Sequence, residues 1–263
     1  MMTSMNPASS DQGPAKPVAF ARSGRALSRV LAFSIVAGLA LPALANEDRY
    51  LESDALFGTL RTNVAAATDL DVIVEIDHSR LAGELEEDMP PSRVLIFSDP
   101  VLEAGLLQID PRIGIDLPLR ILSFEDPESG ESAIIYNSID YIAGRYGVTV
   151  PGTLRADYEK TIRLATAGIA ADKIASFPTD DMTPDGLVVL ESPHSFDETL
   201  DRLRAAVDSQ DDTVWFGEVD FTERSGEVGA DISPTRLFLF GGPGPGGRAM
   251  ANAPSLGLDA FCQ

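Results

Sequence analysis

The chain has 263 residues and carries 41 acidic against 20 basic side chains, a formal net charge of −21. This excess of negative charge argues against nucleic acid or anionic lipid as a partner, because both attract positive charge. A single cysteine, Cys262, excludes an internal disulfide and a Cys-x-x-Cys redox pair.

The first 45 residues have the pattern of a signal peptide. Basic side chains precede the apolar run 31–41, and Ala43-Leu44-Ala45 ends on the small residues after which signal peptidase cuts. The run falls short of the roughly 20 residues that a membrane-spanning helix needs, and an uncleaved membrane anchor is the alternative interpretation. We predict cleavage after Ala45 and a periplasmic or secreted protein.

Helix and strand patterns alternate in the next hundred residues. Apolar side chains at helical spacing predict helices at 54–67, 78–87, 100–109 and 139–146. Buried-strand patterns predict strands at 71–76, 93–97, 118–125 and 131–137. The turn DPESG at 126–130 predicts that the last two strands form a hairpin, because proline and glycine favour the backbone angles of a tight turn.

The rest of the chain begins with a predicted helix at 153–171 and a loop at 177–186, which we interpret as a domain boundary. Beyond it we predict a strand at 187–191, a helix at 195–209 that opens with a capping box, and strands at 213–219 and 236–240. The run GGPGPGG at 241–247 favours a flexible turn into a helix at 248–253 over a phosphate-binding loop, since its prolines lack backbone N–H groups.

The two halves of this pattern repeat each other at an offset of 143 residues. Residues 76–120 align with 219–263 without a gap, and 11 of the 45 aligned positions are identical. The identical pairs are Asp77/Asp220, Gly83/Gly226, Glu84/Glu227, Asp88/Asp231, Pro91/Pro234, Arg93/Arg236, Phe97/Phe240, Pro100/Pro243, Pro111/Pro254, Gly114/Gly257 and Asp116/Asp259. A period this long exceeds the ~20–50 residues of solenoid units and indicates two tandem domains.

The predicted fold is therefore α+β: two tandem copies of a small two-layer domain with helices packed on a mainly antiparallel sheet. We place the signal peptide at 1–45, the first domain at 46–150, a helical linker and loop at 151–186 and the second domain at 187–263. The second copy has no counterpart of 121–146 and is incomplete. We expect it to lean on the first copy or on another chain, or to be a truncated gene product.

Three segments of the first copy resemble successive signatures of the domain-of-unknown-function family 302. They are IDH at 76–78, VLIFSDP at 94–100 and IDLPLR at 115–120, and Tyr136 resembles the tyrosine that ends a strand of this family. The resemblance covers 54–146 well and 195–263 in weakened form. It implies a small α+β domain, often dimeric, for which no general activity is established.

Asp77 and His78 follow a predicted strand, where side chains reach solvent from a fixed backbone. His78 is a candidate general base, with Asp77 or Asp116 as the orienting carboxylate; alternatively it caps the next helix or hydrogen-bonds a loop. In the second copy Phe221 replaces this histidine. A lone histidine with scattered carboxylates lacks the ligands of a zinc site, so we predict no metal and no cofactor.

The candidate ligand-binding residues are His78, Asp99, Arg120 and Tyr136. The retained pair Asp116/Asp259 also fits a structural bridge to arginine. Our leading hypothesis is an exported, non-catalytic tandem protein that binds a small molecule or a protein partner; the alternatives are a hydrolase- or lyase-like enzyme that uses His78, and a structural homodimerisation module. We expect no nucleic-acid partner and no membrane partner after signal cleavage.

Overall fold

The computed structural model describes residues 41–179 and 187–259, with side chains from residue 48 onward. The predicted leader, 1–45, therefore lies almost wholly outside the described residues, as does most of the predicted loop 177–186. Residues Ala40–Gln263 form one compact unit that contains both copies of the repeat.

The first copy is a layer of helices on a sheet, which confirms the α+β prediction. Its elements follow one another as α1 (Leu41–Ala66), β1 (Asp71–Asp77), α2 (His78–Gly83), β2 (Ser92–Ser98), α3 (Pro100–Leu107), the first 3-10 helix (Pro111–Asp116), β3 (Leu119–Glu125), β4 (Ser132–Tyr136) and α4 (Ile139–Tyr146). Helix α5 (Gly152–Ala165) and strand β5 (Ile174–Ser176) follow between the two copies.

Strands β1 to β5 form one sheet in chain order. Neighbours from β1 to β4 run antiparallel, and the short β5 adds parallel to β4. Strand β2 lies inside the sheet, and its side chains at 94–97 are fully buried. Helix α1 packs against β1 to β4, with Phe57, Leu60 and Val64 in the core. Burial of each such side chain stabilises the fold by about 1.5–3 kcal/mol.

Side chains at the strand ends start the helices that follow. Asp77 accepts a hydrogen bond from the backbone N–H of Arg80 at 2.9 Å and caps α2; Asp99 accepts one from Leu102 at 3.1 Å and caps α3. Such a cap stabilises a helix by about 1 kcal/mol, because it satisfies an N–H of the first turn. Gly147, with a φ of 64°, ends α4 as predicted.

The second copy repeats this geometry over the matched residues. It contains α6 (Phe196–Asp208), β6 (Val214–Asp220), α7 (Phe221–Glu227), β7 (Arg236–Gly241), α8 (Pro243–Met250) and the second 3-10 helix (Pro254–Leu258). Phe97 of β2 lies opposite Val72 beside a bulge, and Phe240 of β7 lies opposite Trp215 beside a bulge at the same place. These positions correspond under the 143-residue offset, so the structure confirms the duplication.

Four predicted helices differ by more than two residues in their bounds. Helix α1 begins at Leu41 rather than at 54, and α2 ends at Gly83 rather than at 87. The helix predicted at 153–171 ends at Ala165, because Gly168 soon follows with a φ of 82°, which is incompatible with a right-handed helix. Helix α8 begins at Pro243 rather than at 248. Proline fits the first turn of a helix, because the backbone N–H groups of that turn make no intrahelical hydrogen bond and its lack of an N–H costs none.

The strand predicted at 187–191 is wrong. These residues have no regular structure, and Val188 and Leu190 are 88% and 85% exposed. An apolar, β-branched run forms a strand only where another strand supplies hydrogen bonds. No strand of the described chain pairs with residues 187–191. The strand β5, by contrast, was not predicted.

The two copies pack against each other in a nearly two-fold arrangement. Helix α2 contacts α8 and helix α3 contacts α7; because α7 and α8 are the counterparts of α2 and α3, the two contacts are equivalent. In the same way the second 3-10 helix packs on β2 and the first packs on β7. The second copy therefore packs on the first through the same surface on both sides, as the two subunits of an isologous dimer do.

Candidate functional site

The second 3-10 helix is held on the first copy by two side chains. His78 Nε2 donates a hydrogen bond to the carbonyl of Gly257 at 2.9 Å, and Ser92 Oγ donates one to the carbonyl of Pro254 at 2.9 Å. A Cβ at Gly257 would stand 2.3 Å from Ser92 Oγ and 3.0 Å from His78 Cδ2. Glycine at this repeated position therefore allows the close approach of the two copies.

Burial decides the protonation of His78. It lowers the pKa of His78 to about 4, although the hydrogen bond to Gly257 and the charge of Asp77 act in the opposite direction. The imidazole is therefore neutral at pH 7. It borders a cavity of about 20 Å³ together with residues of the second copy such as Phe216 and Met250, which leaves room for about one water molecule.

A buried polar cluster lies where the second copy meets the first. Its members are Asp116, Arg120, Asn137, Arg145, Tyr146, Tyr158 and Asp259. Asp116 accepts hydrogen bonds from Arg145 at 3.0 and 3.1 Å and from the Tyr146 hydroxyl at 2.5 Å. Asn137 Nδ2 bridges the two copies, 2.8 Å from Asp116 and 3.3 Å from Asp259.

Arg120 joins the two copies within this cluster. Its guanidinium donates to Asp259 at 2.9 Å and to the carbonyls of Ile115 and Leu117. The side chains of Arg120 and Asp116 are 2% and 0% exposed. Charges this deeply buried need their partners, because the loss of one partner leaves the other without compensation. The retained aspartates therefore pair with arginines, as the structural interpretation of Asp116/Asp259 predicts.

Desolvation dominates the electrostatics of the polar cluster. Burial raises the pKa of Asp116 despite the nearby charge of Arg145, and burial lowers the pKa of Arg120 despite Asp259. Burial and the charge of Asp116 also raise the pKa of Tyr146 and of Tyr158. Both phenols therefore stay protonated donors, and Tyr158 donates to the carbonyl of Asn137.

A cavity of about 350 Å³ lies beside the polar cluster, bordered by β4, α4 and α5. It is lined by Tyr136, Ser138, Ile139, Asp140, Tyr158, Glu159, Ile162, Arg163, Thr166 and Ile174. Its volume falls in the range of about 300–1,000 Å³ that small-molecule sites occupy. Burial and the charge of Glu159 raise the pKa of Tyr136. The lining thus combines aromatic and aliphatic side chains with the exposed charged residues Asp140, Glu159 and Arg163.

Glu103 of α3 is a second buried acid at the contact between the copies, and the sequence did not reveal it. Ser98 Oγ donates to Glu103 Oε2 at 2.8 Å, and Arg224 of the second copy donates to Ser98 Oγ at 2.7 Å. Burial raises the pKa of Glu103 to about 7, although Ser98 and Arg224 favour the ionised form. The signal was its position in the apolar stretch PVLEAGLL, in which Leu102, Ala104, Leu106 and Leu107 are buried together with it.

The predicted ligand-binding residues do not converge on one cavity. Tyr136 lines the cavity beside the polar cluster, and Arg120 lies inside that cluster. His78 holds the second 3-10 helix, and Asp99 caps α3 and accepts from the Thr161 hydroxyl at 2.8 Å. Their roles in ligand binding, and that of His78 with Asp77 or Asp116 in catalysis, stay predictions.

Within 41–179 and 187–259, no group of three or more His, Cys, Asp or Glu side chains is placed to hold a metal ion. No helix in that part of the chain combines the length and the apolar character needed to cross a membrane.

Comparison with known proteins links both copies to one family profile. The profile described as "Domain of unknown function DUF302" matches residues 52–165 and 188–263. A solved structure, "Crystal structure of uncharacterized conserved protein DUF302 from Bacillus stearothermophilus", aligns with 44% of this chain and 86% of that chain, at 14% sequence identity and a TM-score of 0.35.

Two curated relatives carry the name "Fluoride-specific ion channel FluC 1". They come from Brucella suis biovar 1 (strain 1330) and Brucella abortus biovar 1 (strain 9-941), and each is 37% identical to this chain over 84 residues. The matched segment is 32% of this chain and 33% and 31% of the two relatives. The chain thus spans about a third of the length of the curated relatives that it matches.

Proposed function

The chain belongs to the DUF302 family, and for this member we propose a binding function: it holds a small ligand in the cavity bordered by β4, α4 and α5. The observation that carries the proposal is the double role of Tyr158, which lines the cavity and hydrogen-bonds to Asn137 of the polar cluster. A wall that is fixed from behind by buried hydrogen bonds is pre-organised for binding.

The ligand is proposed to have a flat apolar body and a positive charge. Tyr136 and Tyr158 offer ring surface, and the isoleucines of the cavity offer aliphatic contact. The carboxylate of Glu159, which also lines the cavity, adds to the effect of burial in raising the pKa of Tyr136. Aromatic rings bind flat groups, and they attract cations by about 0.5–2 kcal/mol.

The charge of the whole chain supports a cationic ligand. A net charge of −21 raises the local concentration of cations and opposes anions. One cation of the protein itself, Arg163, also lines the cavity, but its side chain is exposed and lies 3.6 Å from the Glu159 carboxylate on the same helix. A ligand amine would compete with Arg163 for this carboxylate.

A matched pair of probes tests the proposal. Phenethylamine and phenylacetate have similar apolar bodies and opposite charges, so thermal-shift and calorimetric titrations with each separate the two contributions. We expect binding of phenethylamine that weakens in Tyr136→Leu and in Glu159→Gln. A ligand at ~100 times its Kd stabilises the native state by about 2.7 kcal/mol, which a thermal shift resolves.

Asp157→Asn is the control, because Asp157 is an exposed carboxylate on the same helix and does not line the cavity. It should leave binding unchanged. Preference for phenylacetate would contradict the proposed charge of the ligand. Equal binding by the wild type and Tyr136→Leu would contradict the assignment of the cavity.

Catalysis by His78 has less support than binding. An imidazole with a pKa of about 4 is a weak base at neutral pH, and its Nε2 already donates to Gly257. An NMR titration of the imidazole protons, with His78→Gln for assignment, measures this pKa directly. A midpoint near 7 would favour the enzyme hypothesis.

The proposal includes export. The leader at 1–45 would direct the chain across the membrane and be removed after Ala45, within the first turns of α1 (Leu41–Ala66). N-terminal sequencing of the exported protein tests this, and a mature chain that still starts at Met1 would contradict it.

A second candidate function comes from the relatives named as fluoride channels. The shared 84 residues, about a third of each relative, would then be an accessory domain, and this chain a separate protein that associates with such a channel. A strain that lacks the gene should become more sensitive to fluoride. Unchanged fluoride tolerance would remove this candidate.

A further inference from the structure

An open groove of about 350 Å³ lies on the second copy, between helix α6 and strand β6. It is lined by Arg204, Asp208, Trp215, Gly217 and Glu218. All five residues belong to the second copy, so the groove is separate from the ligand cavity bordered by β4, α4 and α5 in the first. Its volume falls in the range of about 300–1,000 Å³ that small-molecule sites occupy.

The indole ring of Trp215 is held in a fixed orientation, although 39% of this residue is exposed. Its Nε1–H donates a hydrogen bond to Asp208 Oδ1 at 2.7 Å. The ring also makes edge contacts with Phe238 and Phe240, at centroid distances of 5.5 and 5.6 Å. A ring that its neighbours already orient loses little conformational freedom when a ligand binds to it.

The charged side chains of the groove leave one carboxylate for a ligand. Arg204 donates to Glu218 Oε1 at 2.7 Å and to Asp201 Oδ1 at 3.3 Å, so its positive charge is compensated within the chain. The carboxylate of Asp208 accepts the indole hydrogen bond and forms no ion pair with any residue that the structure describes. The groove therefore has an acceptor for a cation and no uncompensated cation for an anion.

The first copy shows that the ion pair of the groove belongs to the fold. Arg204 and Glu218 correspond to Arg61 and Glu75 under the 143-residue offset. Arg61 and Glu75 form the same ion pair, at 2.5 Å. Because both copies contain this pair between the helix and the edge strand, it is explained by structure alone.

The tryptophan and its carboxylate, by contrast, have no counterpart in the first copy. Asp208 and Trp215 correspond to Ala65 and Val72. Val72 is exposed to the same 39% as Trp215, so the exposure belongs to this position of the edge strand in both copies. The first copy forms the same helix and strand with alanine and valine. The fold therefore does not require the aromatic ring or the carboxylate, and their pairing points to binding.

We propose that this groove binds a small molecule that ends in a primary ammonium group. The ammonium group would lie beside the Trp215 ring and donate to the Asp208 carboxylate. Tryptophan attracts cations more strongly than the other aromatic side chains do. A hydrogen bond between two charged groups is about twice as strong as one between neutral groups. The net charge of −21 also favours a cation over an anion.

Trp215 is the only tryptophan of the chain, so its fluorescence reports on the groove directly. The probe is n-butylammonium chloride, and n-butanol is its neutral counterpart of equal chain length. We expect a saturable change in emission with the amine, and none with n-butanol or with sodium chloride at the same ionic strength. An unchanged emission with the amine, or an equal response to n-butanol, would overturn the proposal.

Asp208→Asn removes the charge and keeps an oxygen that can accept the indole hydrogen bond, so the ring should stay in place. It should weaken the binding of n-butylammonium by about 5–10-fold, the difference between a hydrogen bond to a charged and to a neutral group. Asp197→Asn is the matched control, because Asp197 is an exposed carboxylate of the same helix that does not line the groove. Equal affinities of Asp208→Asn and the wild type would overturn the assignment of the ammonium site.

Trp215→Val gives the second copy the residue of the first, and calorimetry replaces fluorescence as the measurement. We expect binding about 2–30-fold weaker, the range of one cation–π contact, with an unchanged circular dichroism spectrum. Unweakened binding would overturn the role of the ring. Tighter binding of Nα-acetyl-lysine methylamide than of n-butylammonium to the wild type would overturn the small molecule in favour of a lysine side chain of a protein partner.

Tyr136→Leu separates this groove from the ligand cavity, which Tyr136 lines. The emission of Trp215 should respond to n-butylammonium in this variant as in the wild type. Loss of the response would overturn the location of the site on the second copy. The groove and the proposed function of the cavity therefore succeed or fail separately.

Discussion

Replacement of Gly257 by alanine should separate the second 3-10 helix from the first copy. The new Cβ would stand 2.3 Å from Ser92 Oγ, 3.0 Å from His78 Cδ2 and 3.2 Å from Leu122 Cδ1. All three neighbours are buried, so they have little space in which to move. The serine and the histidine are also the two side chains that hold this helix through the carbonyls of Pro254 and Gly257.

The size of the effect follows from the contacts that change. Overpacking of a buried site costs about 1–3 kcal/mol. If the helix moves away, the two hydrogen bonds are also lost, at about 0.5–1.5 kcal/mol each. We therefore expect the free energy of unfolding to fall by about 2–6 kcal/mol, measured by urea denaturation followed by circular dichroism.

The duplication provides two matched controls. In Gly114→Ala, at the equivalent position of the first copy, the nearest neighbour is Leu107 Cδ2 at 3.3 Å, a flexible side-chain end, so the loss should be smaller. In Gly226→Ala nothing lies within 4 Å, and alanine in α7 should be neutral or stabilise by up to about 1 kcal/mol. Equal stability of all three variants would refute the argument from close packing.

Two further predictions concern buried acids. Burial raises the pKa of Glu103 from 4.5 to about 7, so between these pH values the native state holds a proton that the unfolded chain has released, and stability falls as pH rises. Glu103→Gln should remove this decline and stabilise the protein at pH 8 by up to about 3 kcal/mol. An unchanged pH dependence of stability in urea denaturation would contradict this prediction. Asp116→Ala should lower the free energy of unfolding by about 3–5 kcal/mol, because Arg145 and Tyr146 lose their acceptor. The control Asp201→Ala removes an exposed partner of Arg204 and should lower it by at most about 1 kcal/mol. Equal losses of stability in the two variants would show that the polar cluster does not stabilise the fold.

Local patterns predicted most of the fold. Buried-strand patterns located β2 and β3, and Ser138 and Gly147 bound α4 through a cap and a left-handed stop that short-range chemistry specifies. Strand β5 depends on its neighbour β4 rather than on its own three residues, so no local pattern could reveal it. For the same reason the apolar run at 187–190 suggested a strand that the described chain does not form.

The sequence predicted less of the candidate site than of the fold, because the site depends on contacts between residues far apart in the chain. Asp116, Asp259 and Arg120 were identified from the repeat and the resemblance, but the pairing of Arg120 with Asp259 joins residues 139 positions apart. Glu103 gave no signal beyond its apolar neighbours, since its raised pKa arises from burial against the second copy. Tyr136 was predicted for ligand binding and lies in the cavity, where its role awaits the binding experiment.

The two-fold contact within one chain has a consequence for how its surfaces can diverge. The halves of a homodimer separate on dilution, whereas a covalent tether keeps each half at high effective concentration near the other. Every substitution in a homodimer also appears on both sides, but here it appears once. Phe221 can therefore fill the place beside Gly114 that His78 fills beside Gly257, and the first copy can keep a cavity of its own.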